Sequence, residues 1–113
     1  MSILSLLFGG SPLDPDKFKL LDTHDFKTAI RNKKVQLVDV RTPREYRAGH
    51  IGKAINIDWF QKGTFEQSFA RLNKSKPVYL YCRSGSRSRK AARKILDMGF
   101  EKVYDLKGGY MRW

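Results

Sequence analysis

Apolar residues recur along the chain in short runs of two alternating kinds. Val35-Gln36-Leu37-Val38-Asp39-Val40 is β-branched and nearly all apolar, as expected of a strand buried on both faces of a parallel sheet. Ala54-Ile55-Asn56-Ile57, Val78-Tyr79-Leu80-Tyr81 and Val103-Tyr104-Asp105-Leu106 read as further strands, and Lys19-Leu20-Leu21 as a short edge strand. Between them the apolar spacing changes to that of helices. Phe26, Ala29 and Ile30 share one face of a helix over Thr23–Arg31, and Ala91, Ala92, Ile95 and Leu96 one face of a helix from Ser88 to Met98. Trp59 to Leu72 is helical but interrupted, with Gly63 as its weak point.

The punctuation agrees with these assignments. Asp22 is placed to cap the first helix, and Asn32-Lys33-Lys34 closes it with cations at the negative end of the dipole. Thr42-Pro43-Arg44-Glu45 combines an N-cap hydroxyl, proline at the first helical position and glutamate at the third, which predicts a capping box and a short helix through Ala48, stopped by Gly49. Gly99 supplies a left-handed stop after Met98. Gly9-Gly10-Ser11-Pro12 and Pro15 set off residues 1–16 as a leader and leave 17–113 as one domain. Alternating strands and helices at this spacing predict an α/β domain, its central parallel sheet flanked by helices on both faces. Ligands gather at the carboxyl ends of such strands. Cys82 lies at one of these ends, and Asp39 with Arg41 lies near another.

At 113 residues one domain is the expectation, and a hydrophobic fraction of 41% argues for a folded chain. The charge changes the picture more: 23 Lys and Arg against 11 Asp and Glu give +12, which favours anionic partners. The basic residues are dispersed and no nucleic-acid signature accompanies them, so nucleic acid is not the expected partner. A single cysteine rules out an internal disulfide and any Cys-x-x-Cys pair, and no metal or cofactor is expected. Met1 to Phe8 is apolar but far too short to cross a membrane and lacks a basic start and a cleavage site. The expected location is the cytoplasm.

Only one segment concentrates charge beside a reactive group. Tyr81-Cys82-Arg83-Ser84-Gly85-Ser86-Arg87-Ser88 sets the thiol after an apolar strand, at a helix start where N–H groups converge and arginines follow. Such a field favours thiolate and draws in anions, so Cys82 is the candidate nucleophile. Asp39 and Arg41 read as structural hydrogen-bonding partners, and His50 as a structural histidine. Trp59, Phe60 and Trp113 read as core or rim aromatics, the first two as candidate pocket walls.

Together these residues resemble a single-domain rhodanese of the thiosulfate sulfurtransferase family. The resemblance rests on Leu37-Val38-Asp39-Val40-Arg41 with Glu45 and Tyr46, on Gly49-His50-Ile51-Gly52-Lys53-Ala54-Ile55-Asn56-Ile57, and on Cys82-Arg83-Ser84-Gly85-Ser86-Arg87-Ser88 with Gly108-Gly109 and Trp113. It implies a ping-pong transfer in which Cys82 takes sulfane sulfur from thiosulfate or a persulfide, holds it as its own persulfide, and passes it to a thiol, cyanide or an acidic protein acceptor. Residues 83–88 then form the substrate-binding loop. Gly85 lets its N–H groups aim at sulfur, and Arg83 and Arg87 match the donor's oxyanion. A phosphatase loop of the wider fold family would need arginine at position 88, where this chain has Ser88. Relatives usually continue into a closing helix beyond the end corresponding to Trp113, so the resemblance implies an end that is either truncated or completed by a partner. A sulfur-carrier module and a non-turnover interaction domain are the alternatives.

Overall fold

The computed structural model describes residues 13–32 and 34–113. The chain enters through a turn in which the Asp14 carbonyl accepts the N–H groups of Lys17 and Phe18, at 2.9 and 2.8 Å. Five strands follow: β1 (Phe18–Leu21), β2 (Gln36–Asp39), β3 (Ile55–Asn56), β4 (Val78–Tyr81) and β5 (Val103–Leu106). They form one sheet in the order β1-β5-β4-β2-β3, and every pairing is parallel. The helices are α1 (Thr23–Ala29), α2 (Pro43–Ala48), α3 (Lys62–Phe69) and α4 (Ser86–Asp97), and a 3-10 turn spans Tyr110–Arg112.

The caps form as the sequence predicts. Asp22 accepts the N–H of Asp25 at 2.8 Å, and Thr42 and Glu45 exchange both bonds of a capping box. Satisfying these otherwise orphan N–H groups lets helices as short as α1 and α2 start at fixed points. Gly99 ends the longest helix with φ +102°. Three boundaries differ. The first helix stops at Ala29, so β-branched Ile30 serves as its cap residue. Gly63 lies inside the first turn of α3 and does not interrupt it. The last helix begins at Ser86, two residues before the expected Ser88, because Gly85 turns the chain directly into it. The Lys33 part of the expected cationic stop and the Gly9–Pro12 punctuation lie outside the described residues.

Strand alternation divides the core between two faces. Val38, Leu80, Cys82 and Val103 pack with Phe65 and Phe69 of α3 and Ala91, Ala92 and Ile95 of α4. On the other face Leu37, Tyr81 and Leu106 pack with Phe26 of α1 and, at the margin, Tyr46 of α2. Each buried side chain of this size contributes about 1.5–3 kcal/mol, which is the driving force for covering both faces. Among the described residues no helix is long and apolar enough to cross a membrane.

Candidate active site

Cys82 follows β4 in the middle of the sheet, and a turn of four residues carries the chain into α4. Gly85 closes that turn at φ +113°, ψ −15°, a conformation that costs a residue with a Cβ. Its N–H thereby points inward and donates to Cys82 Sγ at 3.0 Å. The Cys82 thiol donates to Ser88 Oγ at 3.4 Å, and the Ser88 hydroxyl donates to the Gly85 carbonyl at 3.2 Å. The cysteine is 1% exposed, whereas Arg83, Ser84 and Ser86 stand in solvent. The sulfur therefore sits at the bottom of a loop whose polar rim faces outward.

The loop is held from behind by the end of the chain. Tyr110 N–H donates to the Cys82 carbonyl at 2.8 Å, and Met111 N–H to the Arg83 carbonyl at 3.0 Å. Such close approach requires Gly109: at φ +67°, a Cβ there would stand 2.7 Å from Ser84 N and nearer still to the Arg83 carbonyl. Trp113 packs edge-on against Phe26, centroids 6.2 Å apart, and so seals the far side of the domain. The sequence marks the glycine pair, but nothing in it shows that the pair supports the cysteine loop.

Two arginine–carboxylate forks flank the site. Arg41 donates through Nε and Nη2 to the Asp39 carboxylate, with Nη2–Oδ2 at 2.7 Å, and the same Nη2 donates to the Gly49 carbonyl at 2.7 Å. Its guanidinium lies 4.3 Å from the Tyr110 ring centroid. Asp39 and Arg41 are thus turned toward each other and not toward Cys82. The second fork spans the loop itself: Arg87 Nη1 and Nη2 donate to the two Glu45 oxygens at 2.7 and 3.0 Å. Hydrogen bonding from Arg87 holds the Glu45 carboxyl down at about 2, against the opposing pull of partial burial. Phe60, 58% exposed, lies beside the Arg87 guanidinium at 5.4 Å. This pairing is absent from the sequence reading, which gives Arg87 to an incoming anion alone.

His50 is exposed, donates through Nδ1–H to the Tyr46 carbonyl at 2.9 Å, and stacks on the Tyr46 ring with centroids 3.7 Å apart. It belongs to the end of α2, remote from sulfur contacts. Trp59 meets Phe65 edge-on at 5.0 Å, so of the two expected wall residues only Phe60 faces the arginine fork. Beside the loop, a groove of about 580 Å³ is lined by Ser84, Lys107, Met111 and Arg112 together with Asp22 and Thr23. Among the described residues no three His, Cys, Asp or Glu side chains cluster as metal ligands would.

One polar residue escapes the sequence reading altogether. Asp105 is fully buried, and neither of its carboxylate oxygens has a hydrogen-bond partner of ordinary geometry. Burial pushes it up to about 7, with the Ser88 hydroxyl and the Arg89 charge pulling the other way. The available signal was its position in β5: it alternates with Val103 and so shares the face covered by α4.

The profile of the rhodanese-like domain matches residues 22–113. The chain is 40% identical over 95 residues to the uncharacterized protein YqhL of Bacillus subtilis, covering 84% of this chain and 71% of that one. It is 36% identical over 85 residues to "thiosulfate sulfurtransferase 16, chloroplastic" of Arabidopsis thaliana, covering 67% and 71%. Other curated relatives are longer, the chain spanning only 26% or 37% of their length. Among solved structures, a rhodanese-like domain protein from Staphylococcus aureus superposes with TM-score 0.70 at 30% identity, over 84% of this chain and 90% of that one.

Proposed function

Since the chain belongs to the rhodanese-like domain family, we propose that it is a thiosulfate sulfurtransferase working through a Cys82 persulfide. The observation that carries the proposal is the loop around the only cysteine: the Gly85 N–H donates to Sγ at 3.0 Å at the start of α4, where the helix dipole favours a negative sulfur. In the first half-reaction the Cys82 thiolate attacks the outer sulfur of thiosulfate. The S–S bond breaks, sulfite leaves with the electron pair, and Cys82 keeps the sulfur as a persulfide anion. In the second half-reaction cyanide or a thiolate attacks that outer sulfur and the Cys82 thiolate leaves.

Residues 83–88 are assigned to the donor. Arg83 is exposed beside the sulfur, free to meet a sulfonate oxygen, and the backbone N–H groups of Ser84 to Ser86 belong to the same turn. Ser88 touches the sulfur directly. Arg87 joins the donor site only when its fork to Glu45 opens. Asp39, Arg41 and His50 support the fold around the loop. The name of the Arabidopsis relative and the positive charge of the chain support an anionic donor. A protein acceptor is the second reading, favoured by Phe60 and Met111, which stand 58% and 63% exposed near the loop. We place the protein in the cytoplasm.

The test is intact-mass spectrometry of the reduced protein with thiosulfate and then with cyanide, against Cys82→Ser. Gain of one sulfur that cyanide discharges, absent in the variant, is the expected result. Loading by a protein persulfide but not by thiosulfate replaces the first reading with a sulfur-carrier module. Loading by neither rejects sulfur transfer and leaves a binding domain.

A further inference from the structure

The cysteine loop follows β4, which lies between β2 and β5 in the sheet, and its rim therefore has two sides. On one, Arg87 of α4 meets Glu45 from the helix after β2. On the other, from the ends of β1 and β5, lies the groove of about 580 Å³ lined by Ser84, Met111, Lys107 and Arg112 with Asp22 and Thr23, and the proposed transfer gives that groove no task. Backbone bonds join it to the loop. Lys107 N–H donates to the Leu21 carbonyl at 2.8 Å, which ties the exit of β5 to the end of β1, and Met111 N–H donates to the Arg83 carbonyl at 3.0 Å. The groove and the turn that carries Cys82 are thus one backbone unit.

The cations of this groove are free. Among the described residues no carboxylate pairs with Lys107 or Arg112, and both side chains are exposed. The one carboxylate in the lining, Asp22, has an oxygen committed to the Asp25 N–H at 2.8 Å as the cap of α1. Gly108 makes room for Arg112: at φ +80°, a Cβ built on it would stand 2.5 Å from Arg112 Cδ, so the stem of the arginine occupies the space a side chain would take. Beside these cations Met111 is 63% exposed, a flexible apolar side chain of the kind that adapts to a docked surface. Size decides between occupants. One water takes about 30 Å³ of liquid, so the groove has room for roughly twenty, far more than thiosulfate or cyanide fills. An apolar contact flanked by two free cations suits an acidic stretch of polypeptide.

We propose that this groove docks the protein that accepts sulfur from Cys82, holding an acidic segment next to the acceptor's thiol. The inference deepens the sulfur-transfer reading and rests on it. Ser84 lines the groove and stands two residues after Cys82 in the same turn, so a segment laid over Met111 reaches the mouth of the loop. The acceptor's thiol first gives its proton to water. Its thiolate then attacks the outer sulfur of the Cys82 persulfide, the S–S bond breaks, and Cys82 leaves with the electron pair as a thiolate. The acceptor keeps the sulfur as its own persulfide. One thiolate and one persulfide enter and one of each leaves, so charge is conserved and no reductant is needed. Donor and acceptor approach from opposite sides of the loop, the donor toward the Glu45–Arg87 fork and the acceptor across Lys107 and Arg112.

The test uses two synthetic peptides of equal length, one with its cysteine among glutamates and one with it among lysines. The protein is loaded from thiosulfate, freed of excess donor and mixed with each peptide, and intact mass follows the loss of the extra sulfur. The readout is the ratio of the two rates compared between proteins, which cancels the peptides' own reactivity. Lys107→Glu with Arg112→Glu is expected to lower the preference for the acidic peptide about tenfold, while loading from thiosulfate and discharge by cyanide stay as in wild type. The net charge of +12 acts on any acidic peptide. Lys34→Glu with Lys76→Glu therefore makes the same charge change at the opposite end of the sheet, ahead of β2 and β4, and is expected to lower the preference about twofold at most, since salt screens charges at that distance. An equal fall in both double variants, or no fall in the first, overturns the groove. The same peptides with serine in place of cysteine, labelled and titrated by fluorescence anisotropy, read docking without sulfur. Weaker binding of the acidic one by the first double variant alone is expected. That binding pattern with no sulfur loading would reject the transferase and leave the docking groove standing; loading with no groove-dependent preference would reject the groove and leave the transferase.

Discussion

The two arginine–carboxylate forks use the same chemistry at different depths, and the depth sets what each can do. Asp39–Arg41 has side chains 0% and 5% exposed and adds the Gly49 carbonyl and the Tyr110 ring as partners. Glu45–Arg87 leaves 29% and 19% of its side chains in solvent and reaches across 42 residues of sequence. A buried ion pair cannot open without stranding a charge, so the first fork fixes the ends of β2 and α2. The second loses little on opening, since water replaces the partner. The first fork is therefore scaffold, and the second is a rim that an anionic donor can compete for.

Breaking the inner fork gives the largest effect: Arg41→Ala strands Asp39 and is expected to cost about 3–5 kcal/mol, read as a lower urea midpoint with unchanged slope. Next is Gly109→Ala. Gly109 carries Tyr110 onto the inner fork and backs the cysteine loop, and at φ +67° a methyl there is expected to cost about 1–3 kcal/mol and to slow sulfur loading of Cys82. A melt equal to wild type would show that the chain end does not hold the loop.

Glu45→Gln tests the outer fork and is expected to cost about 1 kcal/mol, the exposure of the pair discounting its pKa shift. The sign follows from Glu45 sitting at about 2 when folded against an ordinary 4.5. Its folded pKa is depressed, so the contribution is complete above pH 4.5, declines as pH falls, and is gone below about 2. The difference in stability between wild type and Glu45→Gln should vanish over that window, as acid titrations of both proteins would show. The smallest effect is kinetic. Arg87→Ala should raise KM for thiosulfate roughly threefold at nearly constant kcat, and Glu45→Gln, by freeing Arg87, should lower it. Movement of both in the same direction would remove Arg87 from the donor site.

Much of this molecule is legible locally. Asp22 and Thr42 with Glu45 state their helix starts within four residues, because a cap is a contact between near neighbours. Strands β2 and β4 are legible because a central parallel strand is covered on both faces and is nearly all apolar. Gly63 does not interrupt α3, since its propensity cost is small beside the burial of Phe65 and Phe69. The start of α4 is not legible in the apolar period, which begins only at Ala91, because the helix itself is set by the turn at Gly85.

The sequence by itself determined the alternation of strands and helices, the placing of Cys82 at a strand end ahead of a helix, and the inner fork, whose members lie two residues apart. Tertiary structure alone decided which distant groups meet. It took Glu45 to Arg87, Gly109 to the back of the cysteine loop and Asp105 into the buried face of β5. Short-range contacts are fixed by backbone geometry that a few residues encode, but these three depend on strand order. The order β1-β5-β4-β2-β3 seats β4 between β5 and β2, and so brings Cys82 between the end of the chain and the carboxylates of its first half.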